Sequence, residues 1–524
     1  MRKIVFYSLI QLVSIVSYGQ PCYPDKVVTA AYATHGSGKY KDKILWLTWG
    51  STNQSTDPYG KNAVILGKGA KSYASVPLGA GSYLCVEAEI IEKDDAVIGS
   101  YLPGMYTGDS KDDLYRIEYP TGTPESQIPK ITENKITYTV NNRLVSGIKN
   151  NADGAKPKFK IRCKATINGI PVRIAGMVLA DAESLSTSEW IKVTAVGDWN
   201  VVEVIKNVSQ SKYDVLKSHI SSEDEGTAAL NLNSSKAKSI KFELGNNKTT
   251  AAISFLSFNN DATDSAYAVG DYAVDILVEF KGQGTTAIAL GLLTPYSDLA
   301  DAPESYGSAI NMLQALTVTS DRIDADTSVN INTNDYKGGE LTSNNSRGYL
   351  GSYPADPDNT SIHSKLAIMD DITGDTSTMN EEDAWPDSKQ RFSYKTGYVK
   401  EQNFKAEIPY HKGVVGDYIA GWLDFNLDGQ FSDDEMAYAP VGADTGTVIL
   451  SWTIPTTRQP YSTYARLRYI DKFNIPAGES DVKNITATSI LYYGEVEDHR
   501  VYILGPTVVN PALPSRAKTA KRIN

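Results

Sequence analysis

The stretch Val448-Ile449-Leu450-Ser451-Trp452-Thr453-Ile454 decides the fold class. Val448, Leu450, Trp452 and Ile454 alternate with Ile449, Ser451 and Thr453, and a period of two sends successive side chains to opposite faces of a strand. Outward from it the pattern repeats. Ala465, Leu467 and Tyr469 alternate with Arg466 and Arg468, and Val274 to Phe280 is a fuller apolar strand. Gly, Asn, Asp and Pro punctuate these runs at short spacing, the habit of antiparallel sandwiches. The pattern predicts an all-β protein of two antiparallel β-sandwich domains joined by an acidic, loop-rich segment. One helix is predicted, at Ser211–Ile220, where Tyr213, Leu216 and Ile220 share a helical face and Asp214 is placed for a capping box.

The 524 residues divide into a large β-rich domain over 20–296, an acidic segment over 297–392, a second β-domain over 393–505 and a basic tail over 506–524. The formal net charge is −11, and residues 297–392 hold 17 acidic and 6 basic side chains, so 6 − 17 = −11 places the whole excess there. The acidic balance argues against a nucleic-acid binder, which needs a basic face for phosphates.

Residues 1–19 are expected to be a secretory signal peptide. Arg2 and Lys3 precede an apolar run from Ile4 to Val16, and Ser17-Tyr18-Gly19 puts small residues at −3 and −1. The run falls short of the ~20 residues that a membrane span needs, and no other stretch is long enough. A mature chain without a transmembrane segment, secreted or held at the cell surface, is the expectation. Export permits a disulfide among Cys22, Cys85 and Cys163; the spacing does not choose the pair.

The most specific local motif is Asp424-Phe425-Asn426-Leu427-Asp428-Gly429-Gln430-Phe431-Ser432-Asp433-Asp434-Glu435. It satisfies D-x-[DN]-x-[DN]-G-x5-E at every fixed position. In such a loop Asp424, Asn426 and Asp428 turn oxygens inward, Gly429 makes the turn, Gln430 offers its carbonyl and Glu435 closes the shell around Ca2+. The flanking Asp417–Trp422 reads as a strand, so the expectation is a calcium loop inside a β-domain; the alternative is a solvated turn without an ion. Gly494-Glu495-Val496-Glu497-Asp498 is the second acidic motif. Its carboxylates suit metal ligation, acid–base chemistry or salt bridges to Arg466 and Arg468. The third is Asp370, Asp371, Asp375, Glu381, Glu382 and Asp383, with Asp356 and Asp358 upstream. Six acids in fourteen residues repel one another unless solvated or neutralised. Asp370, Asp371, Glu382 and Asp383 join Glu495, Glu497 and Asp498 as further candidate Ca2+ ligands.

Catalytic signatures are missing. The five histidines form no H-E-x-x-H, no G-x-S-x-G elbow occurs, and Gly36-Ser37-Gly38-Lys39 lacks the first Gly and the Ser/Thr of a P-loop. Asp181 and Glu183 are the suggestive acids for a glycoside hydrolase. Trp46 and Trp49 suit either sugar stacking or a core.

Residues 393–505 resemble a GEVED domain, a β-sandwich module of exported bacterial proteins. The resemblance is carried by Gly421-Trp422-Leu423-Asp424-Phe425-Asn426-Leu427-Asp428-Gly429 with Phe431, by Tyr464-Ala465-Arg466-Leu467-Arg468 and by Gly494–Asp498. His499 stands where an aromatic Tyr is usual. Asp301-Ala302-Pro303-Glu304-Ser305-Tyr306-Gly307 resembles the stretch that precedes that domain. Residues from about 26 to 296 resemble the non-repetitive domain 2 of the CshA surface adhesin. The residues that carry this are Gly36–Lys41, Ile44–Trp46, Ala180–Ser184 with Glu189 and Trp199, and Gly282–Ala289. That resemblance implies a lectin-like domain that engages matrix glycoprotein. The reading is therefore an exported adhesin-like protein without enzyme activity. Its first domain would bind an extracellular glycan or glycoprotein, and its second would be a calcium-stabilised module. A secreted glycoside hydrolase and a purely structural surface protein are the alternatives.

Overall fold

A computed structural model describes residues 22–23, 30–33, 36–49, 64–79, 82–100, 114–115, 130–133, 136–139, 147–181, 185–209, 212–219, 237–245, 250–257, 272–284, 286–294, 296–313, 316–343, 347–358, 363–367, 381–386, 388–393, 401–455, 460–475 and 482–504. Residues 1–21, Asp370, Asp371, Glu183 and the 505–524 tail lie outside them. Among the described residues the architecture is all-β; the sole helical elements are three-residue 3-10 turns. Among the described residues no helix is long and apolar enough to cross a membrane.

The chain divides into two compact units, Met1–Thr294 with Leu316–Thr342, and Pro295–Ala315 with Ser343–Asn524. Residues 297–392, expected as one connecting segment, are shared between them. Thr327–Asn330 adds an edge strand in the first unit, and most of the remainder goes to the second.

The first unit holds two nine-stranded sheets. In one, Asp198–Ile205, Ala251–Ser257, Gly176–Asp181 and Ala287–Leu293 lie side by side and antiparallel. In the other, Trp190–Val196, Val274–Lys281, Lys158–Ile167, Ser82–Lys93 and Lys71–Gly79 do so. Ser82–Lys93 buries every second residue, Leu84, Val86, Ala88 and Ile90 among them, as a strand with one covered face must. Gly176–Asp181 is buried at all six positions. Its second face is covered too, by Trp46, Leu114 and Tyr115 packed on Val178 and Ala180. Trp46 and Trp49 are core residues, so the stacking alternative for them falls away. A disulfide joins Cys22 to Cys85, and Cys163 is free and buried.

The helix expected at Ser211–Ile220 is a strand, Asp214–His219, paired with Ala237–Glu243 and Thr327–Asn330. The spacing of Tyr213, Leu216 and Ile220 lost to a period of two: Tyr213, Val215 and Lys217 are buried. Two flanking strands supply ladder bonds and cross-strand contacts that outweigh a weak helical preference.

The second unit places a three-stranded sheet (Tyr349–Leu350, Glu401–His411, Gly446–Pro455) and a five-stranded sheet (Arg391–Ser393, Glu495–Leu504, Tyr461–Ile470, Tyr418–Leu423, Met436–Pro440) around one core. Gly446–Pro455 buries Val448, Leu450, Trp452 and Ile454 and exposes the residues between. Each large apolar side chain so buried contributes about 1.5–3 kcal/mol. Trp385 stacks on Trp452, ring centroids 6.1 Å apart, and Phe404 packs beside both. A small third sheet is formed by Tyr296–Leu299, Ile310–Leu313 and Ile490–Tyr492. Arg466 and Arg468, which alternate with Ala465, Leu467 and Tyr469 along Tyr461–Ile470, are both fully buried. Acceptors from Gly307, Ile310 and Asn311 reach them there.

Candidate functional site

Gly494 opens the site. Its φ is +75°, and a Cβ there would lie 2.0 Å from the Tyr469 carbonyl oxygen, so only glycine can make this approach. Strand Glu495–Leu504 then runs antiparallel to Tyr461–Ile470, with Glu495 opposite Tyr469, Glu497 opposite Leu467 and Asp498 opposite Arg466. Alternation separates the motif into two faces with different chemistry.

On one face Asp498 and Arg466 form a fully buried, bidentate pair, Nε to Oδ1 at 2.8 Å and Nη2 to Oδ2 at 2.9 Å. The guanidinium also donates to the Ala487 and Gly307 carbonyls, and the Ala302 amide donates to Asp498. Arg468 donates to the Ser489 and Ile310 carbonyls and to Asn311. Asp498 and Arg466 have planar, well-placed partners, the condition for tolerating burial, whereas Arg468 Nε is buried without a hydrogen-bond partner. Of the sequence alternatives, the salt bridge to Arg466 describes Asp498.

The other face carries Glu495, Glu497 and His499, each at most 3% exposed. It points into the same core as Leu467, Tyr469, Val501 and Ile503. Glu495 Oε2 accepts from the Leu350 amide, while its Oε1 is buried without a hydrogen-bond partner. Glu497 accepts from the Ala384 amide at 3.2–3.3 Å and from His499 Nε2 at 2.9 Å. Gln390 Nε2 stands 3.3 Å from the other imidazole nitrogen. Glu382 Oε1 accepts from the Asp498 amide, and its Oε2 lies 4.0 Å from His499 Nδ1. Among the described residues, Glu382, Glu497 and His499 are the group whose ligand atoms all lie within 4.8 Å of one another. Burial pushes the Glu495 carboxyl well above its ordinary range, and neighbouring Glu497, Asp298 and Glu381 push it further. Glu497 is raised by burial as well, with His499 acting against the shift. Asp383 accepts from the Ser352 amide, and burial raises it.

The Asp424–Glu435 loop is bound up with its own backbone. Asp424 is fully buried and accepts from the Leu427 and Gly429 amides and the Tyr306 hydroxyl. Asn426 and Asp428 accept from the Asp428 and Gln430 amides. Glu435 accepts from the Phe425 and Asn426 amides through Oε1 and from the Ser432 amide and hydroxyl through Oε2. That makes it the reciprocal partner in a capping box on the 3-10 turn Asp433–Glu435. Burial raises its carboxyl. These bonds fix the shape of the loop and the directions of its Asp424, Asn426, Asp428 and Glu435 side chains.

In the first unit Asp181 accepts the Tyr213 hydroxyl. Glu203 accepts the Tyr115 hydroxyl at 2.7 Å and the Lys39 amide at 3.0 Å. The Gly36–Lys39 turn is thus held by Glu203 and Leu114 rather than open for a phosphate. Sequence reasoning missed Asp417, a buried carboxylate that accepts from Tyr469 and the Val414 and Lys472 amides. It also gave no role to His499, although alternation from Glu497 placed both on one face.

These features define a two-unit, all-β protein whose second unit is organised around a buried acidic strand start. Residues 42–293 match the family "Surface adhesin CshA non-repetitive domain 2", and residues 418–502 match the GEVED domain. The chain is thus similar to an adhesin-type domain over residues 42–293 and to a GEVED domain over residues 418–502. Among solved structures it is similar to the N-terminal domain of the Streptococcus gordonii adhesin Sgo0707. The identity is 7%, the coverage 91% of this chain and 96% of that one, and the TM-score 0.25. No curated protein sequence matches it.

Proposed function

We propose that this protein is exported and acts as an adhesin-like binding protein. The first unit engages an extracellular glycan or matrix glycoprotein, and the second is a structural module. The observation that carries the reading is the adhesin-domain match over residues 42–293. The Cys22–Cys85 disulfide supports export, because such bonds persist in oxidising compartments. Binding is favoured over glycoside hydrolysis because Asp181 is buried and engaged by Tyr213, whereas a hydrolase needs a carboxyl pair facing substrate. The test is solid-phase binding of the full chain to arrays of glycans and to immobilised matrix glycoproteins. Saturable binding to at least one member is expected; uniform failure across both arrays refutes the proposal.

A further inference from the structure

We propose that Lys217 and Asp321 form an intramolecular cross-linking site, at which the lysine Nζ condenses with the aspartate carboxyl to make an isopeptide bond inside the first unit.

Lys217 stands where its strand calls for an apolar side chain. Asp214–His219 alternates, and Lys217 lies on the buried side with Tyr213 and Val215. Lysine is almost never fully buried without a partner. Its partner comes from 104 positions further along the chain. Asp321 lies between the strands Leu316–Val318 and Thr327–Asn330. Nζ stands 2.5 Å from its Oδ1, and the two side chains are 10% and 0% exposed. The carboxyl is also fixed by backbone donors. The Ile323 amide donates to Oδ1 at 3.0 Å and the Val201 amide to Oδ2 at 2.8 Å. Lys160 offers the contrast: it is buried too, but the side chain of its partner Glu92 is 56% exposed, so water holds that carboxylate.

Two states are open to an amine and a carboxyl held in this way. In an ion pair both charges have left water, and a buried pair often fails to recover what desolvation costs. Burial lowers the Lys217 ammonium, with the Asp321 bond acting against the shift. The surroundings do little for charge, since the Tyr336 hydroxyl, close enough to feel Asp321, is itself buried without a hydrogen-bond partner. In an amide neither charge remains. One proton passes from Nζ to Oδ1 along the bond between them, leaving a neutral amine beside a neutral acid. The Nζ lone pair attacks Cγ and the C–N bond forms, while negative charge moves onto Oδ2. The Val201 amide already donates to that oxygen, as a donor aimed at developing charge must. The Cγ–Oδ1 bond then breaks, and the hydroxyl leaves with a second Nζ proton as water. One amine and one carboxyl give one amide and one water, with no change of oxidation state and no co-reactant. Reactants held in place reach effective molarities of about 10⁵–10⁸ M, and burial keeps back the water that would reverse the step. The bond would tie the segment Leu316–Thr342, which rejoins the first unit after Pro295–Ala315 has entered the second, to a strand of the first unit.

The experiment takes the full chain as purified, reduces and denatures it, and weighs it by mass spectrometry, with the N-terminus read by sequencing. The mass is expected to fall short of the sequence by one water, and digestion with trypsin is expected to release a branched peptide that joins Lys217 to Asp321. Lys217→Arg keeps the charge pair but removes the amine, and Asp321→Ala removes the acceptor. Each should weigh what its sequence weighs and give no branched peptide. A wild-type chain at its full sequence mass refutes the proposal and leaves an ion pair, whatever the variants do. A water deficit that persists in Lys217→Arg also refutes it, because the dehydrated residue then lies elsewhere.

Discussion

Replacing Arg466 by Met should expose the cost of the buried ion pair in the second unit. Arg466 and Asp498 are both fully buried, and their two bonds of 2.8 and 2.9 Å form a fork. Methionine fills much of the space but leaves Asp498 charged, buried and held by the Ala302 amide alone among these partners. Breaking a buried pair from one side costs about 3–5 kcal/mol. The Ala487 and Gly307 carbonyls also lose their donor, at about 1 kcal/mol each. A loss of roughly 5–7 kcal/mol follows from those two figures, a large share of the ~5–15 kcal/mol by which a domain is stable. The double variant Arg466→Met/Asp498→Leu removes the orphaned charge and should recover about 2–3 kcal/mol of that loss, a coupling of the size seen for contacting residues. Urea unfolding of the full chain in chelator, followed by far-ultraviolet circular dichroism, measures all members of the cycle. If Arg466→Met fails to fold and the double variant folds, the sign of the coupling is the same. Additive losses, or a double variant less stable than Arg466→Met, would refute the pair as the organising contact.

Further outcomes follow from other parts of the molecule. Reducing Cys22–Cys85, which closes a separation of 63 residues, should cost about 4 kcal/mol in the chain-entropy account, seen as a drop in the urea midpoint; Cys163 should react with a thiol reagent only after unfolding, since it is buried and burial raises its thiol. Glu203 is raised above its ordinary 4.5 by burial, against the opposing Tyr115 and Lys39 bonds. A folded acid with a raised pKa holds its proton longer than the unfolded one. Its contribution therefore falls as pH rises from about 4.5 through the folded value, and Glu203→Gln should flatten that part of the stability–pH curve; an unchanged slope would show that Glu203 is not its source. Gly36→Ala should lose more than about 2 kcal/mol, because φ is +99° and the new Cβ would sit 2.3 Å from the Leu114 oxygen. Gly67→Ala, with open space around it, is the control and should change little.

Much of the second unit was legible in the chain. The alternation at Val448–Ile454 became the buried side of Gly446–Pro455, because a half-covered strand imposes a period of two on composition. The two family resemblances rested on local strings and recur as matches over residues 42–293 and 418–502. Less legible were the residues whose role depends on a neighbour distant in sequence. Asp214–His219 is a strand because Ala237–Glu243 and Thr327–Asn330 flank it, and no local spacing records that.

The sequence by itself determined the all-β class, the acidic 297–392 stretch and the two acid motifs, since periodicity, charge and loop spacing are written in adjacent residues. Only the tertiary structure decided which cysteines pair and which acids are spent. It turned Glu435 toward loop amides, sent Asp498 to Arg466, and left Glu495 and Glu497 on a core face. A carboxylate's chemistry depends on the donors within about 3 Å of it. Those donors come from residues such as Leu350, Ala384 and Ala302, more than a hundred positions away in the chain.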